Sequence, residues 1–194
     1  IVLLSPIAAI YWLITSIRNW CYDRQLFKST SFEIPIISVG NISVGGTGKT
    51  PMVDYLINLL SKKYTIAVLS RGYGRKTSGF LWVEKSRSSK EVGDEPLQIK
   101  SQYNQISVAV CENRVYGIQQ ILKEKPETSL IILDDAFQHR RIQPKVSLLL
   151  STYEKPYFKD WMLPAGNLRE ARIGANRSDA IVLTKCPENF EKIN

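Results

Sequence analysis

Short, continuous apolar runs recur along the chain, each broken by glycine, proline or charge. Ile36, Ile37 and Val39 carry the first and Thr65–Ser70 the second; Ile106–Val110, Ser129–Leu133, Val146–Leu150 and Ala180–Leu183 follow. Runs this short and this rich in β-branched residues predict strands buried on both faces. Between them the apolar positions move to helical spacing, at Val53, Leu56, Ile57 and Leu60, and again at Val115, Ile118, Ile121 and Leu122 within Glu112–Lys125. Gly93-Asp94-Glu95-Pro96 opens another helix, its acids in the first turn where the helix dipole favours them. Phe80–Val83 predicts a short strand, and the charged, serine-rich stretch 84–92 a solvated loop. Buried strands alternating with helices make an α/β fold, a mostly parallel sheet with helices on both faces. No internal repeat or low-complexity segment interrupts it.

Residues 1–17, IVLLSPIAAIYWLITSI, follow neither rhythm: they carry no charge and are apolar on every helical face. Such a helix is expected to be buried in protein or in lipid. Seventeen residues make about 25 Å of helix against a bilayer core of roughly 30 Å. Arg18, Asn19, Trp20, Tyr22, Arg24 and Lys28 come next, an aromatic and basic collar suited to headgroups on the cytoplasmic side. No A-x-A-like cleavage site follows, which argues against a secretory signal. We expect residues 1–28 to be a membrane-associating N-terminal helix, spanning or lying in the interface, and residues 29–194 to form the catalytic domain.

The chemistry begins where the first strand run ends. Gly45, Gly46, Thr47 and Gly48 precede Lys49 and Thr50, and a helix follows. Glycines let successive N–H groups turn inward onto a phosphate, lysine brings a mobile positive charge, and threonine offers a hydroxyl to magnesium. The usual G-x-x-x-x-G-K-[ST] pattern has glycine where Ser43 stands. Leu130-Ile131-Ile132-Leu133-Asp134-Asp135 has the form of a Walker B strand, whose terminal carboxylate meets magnesium directly or through water. Together these predict a P-loop NTPase-like sheet preceded by an apolar helix. Asp94 and Glu95 fall at a strand-to-helix junction, either as helix-capping acids or as the carboxylate that activates an acceptor hydroxyl. His139, the only histidine, reads as a structural group. Arg71, Arg75, Arg114, Arg140, Arg141, Arg169 and Arg172 serve as phosphate clamps or as a solvated basic face. Thr184-Lys185-Cys186-Pro187 has proline where a guanine-reading aspartate would stand, and Val44 replaces the signature lysine of partition ATPases.

Composition narrows the setting. A chain of 194 residues holds one sizeable core. Its formal charge of +8 suggests an anionic partner: nucleotide, nucleic acid, membrane surface or phosphorylated substrate. Three scattered cysteines, Cys21, Cys111 and Cys186, fit free thiols in a reducing compartment. The chain opens on Ile1 and stops soon after a strand-like run, so a piece of a longer protein is expected.

GNISVGGTGKTP, LSRGYGR, GDEP, LDDAFQHRR, LPAGNLRE and DAIVLTKCP, in this order behind an apolar helix, resemble the tetraacyldisaccharide 4'-kinase (lipid A 4'-kinase) family of Gram-negative inner membranes. That family's loop likewise lacks the first Walker glycine. The resemblance implies ATP- and Mg2+-dependent phosphorylation of the 4'-hydroxyl of tetraacyldisaccharide 1-phosphate in lipid A biosynthesis. It implies work at the cytoplasmic face of the inner membrane, with no nucleic-acid partner. On it, Lys49 and Asp94 are catalytic, Thr50, Asp134 and Asp135 serve the metal, and Arg71, Arg114 and Arg169 contact substrate. The sequence departs from the family at Ala136, where glycine is usual. The family's C-terminal region, with a histidine thought to partner the aspartate base, has no counterpart up to Asn194, so the activity is assigned to the intact protein. A P-loop switch ATPase and a soluble small-molecule kinase with a buried N-terminal helix are the competing readings.

Overall fold

A seven-stranded sheet organises the computed structural model, which describes residues 4–188. Its strands are β1 (Ile36–Gly40), β2 (Ile66–Ser70), β3 (Leu81–Trp82), β4 (Ser107–Val110), β5 (Leu130–Asp134), β6 (Val146–Thr152) and β7 (Ala180–Thr184). They lie in the order β3-β4-β2-β5-β1-β6-β7. All pair in parallel except the two-residue β3, which runs antiparallel on β4. β2 and β5 are buried along their whole length, which is why they read as unbroken apolar runs.

Alternate residues of each strand serve opposite layers. Val39, Val68 and Ile132 pack with Val53 and Ile57 of α2 (Lys49–Leu60), Val92 of α3 (Ser89–Val92) and Ile99 of α4 (Asp94–Gln102). On the other face Ala67, Leu69, Ile131 and Leu133 meet Ile118 and Ile121 of α5 (Arg114–Glu124). A third cluster, centred on Ile42, Phe137, Leu149 and Leu168, anchors the segments beyond β1 and β5. Ile57 and Ile132 are fully buried; truncating either to alanine costs about 2–5 kcal/mol. The predicted architecture is therefore observed, with helices on both faces.

Two local expectations are corrected. The stretch 84–92 is not all loop: α3 forms there, nucleated by a capping box in which the Ser88 N–H donates to Glu91 and the Glu91 N–H to Ser88. The N-terminal helix, α1, runs Ser5–Asp23 and takes Arg18 to Tyr22 into its last turns; residues 1–3 lie outside the described residues. Nor is α1 buried in protein on all sides. Ile7, Ile10, Leu13, Ile14 and Ile17 are each at least half exposed, and Ala8 is its one buried residue.

What holds α1 is a polar stripe at helical spacing. The Tyr11 hydroxyl donates to Arg169 O at 2.9 Å, Arg18 to Gln138 O at 2.7 Å, and Asn19 Nδ2 to Glu170 Oε2 at 2.9 Å. The absence of charge in residues 1–17 concealed that stripe, because Tyr11 and Thr15 count as nearly apolar. Among the described residues no helix is long and apolar enough to cross a membrane.

Candidate active site

The carboxyl ends of the parallel strands converge on one edge of the sheet, where open α/β folds place their chemistry. From β1 the chain enters the glycine loop. Gly45 stands at φ +108° and Gly48 at φ +82°, a region closed to most side chains. Gly48 caps α2, so the first N–H groups of that helix face outward beside Lys49 and Thr50. The loop is pinned from three directions: Asn41 Nδ2 donates to Thr47 Oγ1 at 2.8 Å, Thr184 Oγ1 to Thr47 O at 2.9 Å, and Val44 N to Asn167 O at 2.8 Å. Ser43 forms an antiparallel bridge with Leu168. An extended residue needs no glycine, which explains how the loop manages without the first Walker glycine.

β5 delivers the carboxylates. Asp134 is 1% exposed, with Oδ2 accepting from Ser70 Oγ at 3.2 Å and Oδ1 buried without a partner. Burial, then the neighbouring charges of Glu95 and Asp135, push its pKa up to about 6 against the pull of Lys49 and Ser70. Asp135 turns out of the strand at φ +49°. Its carboxylate takes Lys49 Nζ at 3.5 Å and Arg169 at 3.4 Å. Among the described residues no three His, Cys, Asp or Glu side chains converge to hold a metal by themselves. Magnesium does not require that, since it binds through one or two carboxylates together with waters and phosphate oxygens. The orphaned Oδ1 of Asp134, next to the Asp135 carboxylate in sequence, fits such an ion, and it singles out Asp134 of the pair.

β2 and α4 meet through two glycines. A Cβ on Gly93 would lie 3.1 Å from the Gly72 Cα, and one on Gly72 would lie 2.9 Å from Val92 O. Both residues have positive φ, +90° and +72°. This contact seats the Arg71–Gly74 turn on the start of α4, where Asp94 and Glu95 are exposed. Glu95 lines the adjoining cleft and bears on Asp134 electrostatically; Asp94 stands beside it, outside the cleft walls.

That cleft, about 1260 Å3, lies between α1 and the strand ends. Tyr11, Thr15 and Arg18 form one wall; Ser70, Glu95 and Asp135 belong to the other. Basic groups outnumber acidic ones around it, with Arg18, Arg71, Arg140 and Arg141 on the cationic side and only Glu95, Glu112 and Asp135 opposing. An anionic ligand is favoured there. His139 sits in this wall with its pKa pushed down to about 4, by burial first and then by Arg114, Arg71 and Arg18, so it is neutral at pH 7.

All 194 residues match the family model for tetraacyldisaccharide-1-P 4'-kinase. The chain belongs to the tetraacyldisaccharide-1-P 4'-kinase family. It is 50% identical over 190 residues to the tetraacyldisaccharide 4'-kinase of Flavobacterium johnsoniae, and 50% identical over 187 residues to that of Cytophaga hutchinsonii. These alignments take in 98% and 96% of this chain but 56% and 53% of those relatives, so the chain spans about half the length of the curated relatives it matches. The crystal structure of LpxK from Aquifex aeolicus in complex with ATP superposes with a TM-score of 0.89 at 41% identity, covering 98% of this chain and 61% of that one.

In this member of the tetraacyldisaccharide-1-P 4'-kinase family, the expected site residues arrive unevenly. Lys49, Thr50, Asp134, Asp135 and Arg169 gather around the loop. Arg71 is exposed on the cleft rim. Arg114 is 1% exposed but also lines the cleft, and it donates to Cys111 O at 2.6 Å and to Asp134 O at 3.4 Å. Burial draws its pKa down to about 10, opposed by Asp134 and Asp135. Glu95 joins the site through its position on the first turn of α4. Its signal in the sequence was the acid pair itself, which does not say which carboxylate faces inward.

Proposed function

We propose that the full-length protein transfers the γ-phosphoryl group of ATP to the 4'-hydroxyl of tetraacyldisaccharide 1-phosphate, a lipid A precursor, at the cytoplasmic face of the inner membrane. The observation that carries this reading is the adjacency of the glycine loop and the cationic cleft, with α1 as the cleft's outer wall. A donor phosphate on the loop and an anionic acceptor in the cleft would meet over Asp135 and Lys49.

The loop amides and Lys49 hold the β- and γ-phosphates. Thr50 and Asp134, with Asp135 next to them, would hold Mg2+, which when bound neutralises charge on the phosphate oxygens. Asp94, at the N-terminus of α4, is the carboxylate the family pattern assigns to the acceptor hydroxyl, and its neighbour Glu95 bears electrostatically on Asp134. Arg71 and Arg169 draw the acceptor's phosphate by charge-assisted hydrogen bonds. Arg114, which lines the same cleft, is the third arginine available to the acceptor's phosphate, and its bonds to Cys111 O and Asp134 O tie the ends of β4 and β5 across β2. The outward apolar face of α1, with Ile7, Ile10, Ile14 and Ile17, suits the acyl region of a bilayer.

Incubating the full-length protein with γ-labelled ATP, Mg2+ and tetraacyldisaccharide 1-phosphate tests the assignment. Labelled lipid is expected. Phosphate release from ATP in the absence of lipid, with no labelled lipid, would favour a switch ATPase instead.

A further inference from the structure

The carboxyl end of β7 reaches the glycine loop from the side of β1 opposite β5. Thr184 makes the junction: its hydroxyl donates to Thr47 O at 2.9 Å, and its side chain lies 3.5 Å from where a Cβ on Gly48 would stand. The next residue, Lys185, leaves the strand at φ +54°. A residue with a side chain occupies that region only when its surroundings impose it, and such strain gathers at functional sites. The turn sets Lys185 Nζ 3.9 Å from the position a Cβ on Gly46 would take, over the loop itself.

Asp135 is the counterpart at the end of β5: it too has positive φ, +49°, and it too overlooks the loop, from the other flank. The two lysines differ in charge balance. Lys49 is paired with Asp135, whereas among the described residues no carboxylate lies within ion-pair distance of Lys185. No described carboxylate therefore offsets Lys185 where it stands beside Gly46 of the loop.

We propose that Lys185 is a second phosphate-binding lysine of the loop, contacting the polyphosphate of a bound nucleoside triphosphate. This rests on the reading of residues 45–50 as a nucleotide site. Pro187 stands where a base-reading aspartate would be needed, so the contribution of Lys185 is charge on phosphate and not selection of the base. Its loss weakens ATP and inorganic tripolyphosphate alike.

The test uses the full-length protein and measures KM for ATP, the inhibition constant of tripolyphosphate and the melting temperature. Lys185→Ala is expected to raise both constants about tenfold, the size of one lost charge-assisted hydrogen bond. Lys185→Arg is expected to retain most of the affinity. Lys185→Gly is the discriminating variant: it relieves the positive φ and raises the melting temperature while weakening both ligands as alanine does. Unchanged constants in Lys185→Ala and Lys185→Gly, with Lys49→Ala binding neither ligand, would overturn the proposal and leave the nucleotide site standing. Unchanged binding in Lys49→Ala as well would remove the nucleotide reading together with the proposal.

Discussion

Lys49 Nζ stands 3.5 Å from Asp135 Oδ1, and Arg169 shares the same carboxylate from 3.4 Å. Asp135 thus competes with a polyphosphate for the loop lysine. The pair is partly exposed, so the competition is modest. Asp135→Asn is expected to tighten metal-free ATP about threefold, the range of a partly exposed ion pair. With Mg2+ present the same variant is expected to lose turnover by about 10²-fold, because a carboxylate beside the ion is gone. Equilibrium binding with and without Mg2+, followed by initial rates, checks both halves.

The Gly72–Gly93 contact predicts a stability cost with a catalytic signature. Gly93→Ala forces a Cβ to 3.1 Å from the Gly72 Cα at φ +90°. The cost is about 1–3 kcal/mol, read as a lowered melting temperature. Because the strain sits one residue before Asp94, kcat is expected to fall more than KM for ATP rises.

His139 gives a pH dependence of known sign. Its folded pKa of about 4 lies below the ordinary value of 6.5, through burial and then Arg114, Arg71 and Arg18. Between those values the unfolded chain binds the proton and the folded chain does not. The stability in question is therefore present above pH 6.5 and is lost as pH falls towards 4. Asp134 acts in the opposite sense over part of this window, since its raised pKa makes the folded state bind the extra proton. The comparison with His139→Asn separates the two: relative to wild type, the variant should gain stability steadily from pH 6.5 down to 4. Denaturant titrations across that range read the difference.

The exposed face of α1 predicts membrane binding that can be removed without unfolding. Ile10 and Ile14 are 60% and 61% exposed, so Ile10→Asp with Ile14→Asp disturbs no packing in the domain. The double variant is expected to lose flotation with anionic phospholipid vesicles while its melting temperature stays within a few degrees of wild type. Undiminished flotation would detach this face from the membrane reading.

Much of this was legible from local pattern. β2 and β5 announce themselves because central parallel strands are apolar on both faces, and the glycine loop because phosphate contact needs both unusual φ and a lysine. What stayed hidden depends on long-range neighbours. The bracing contacts of Arg114 are invisible until the ends of β4 and β5 are brought close, when its guanidinium is seen to hold Cys111 O and Asp134 O. Ser43 looks like a defect until Leu168 arrives beside it, 125 positions along the chain. The inward role of Glu95 and the turn at Lys185 likewise belong to tertiary placement: no propensity scale marks a lysine for positive φ.

In the function proposed here donor and acceptor occupy one continuous site, the loop and the cleft meeting over Lys49 and Asp135. Initial rates of the full-length protein, measured while ATP and tetraacyldisaccharide 1-phosphate are both varied, test it most directly. Direct transfer between two ligands held together predicts intersecting double-reciprocal lines. Parallel lines, the mark of a phosphorylated enzyme formed before the acceptor binds, would contradict the account.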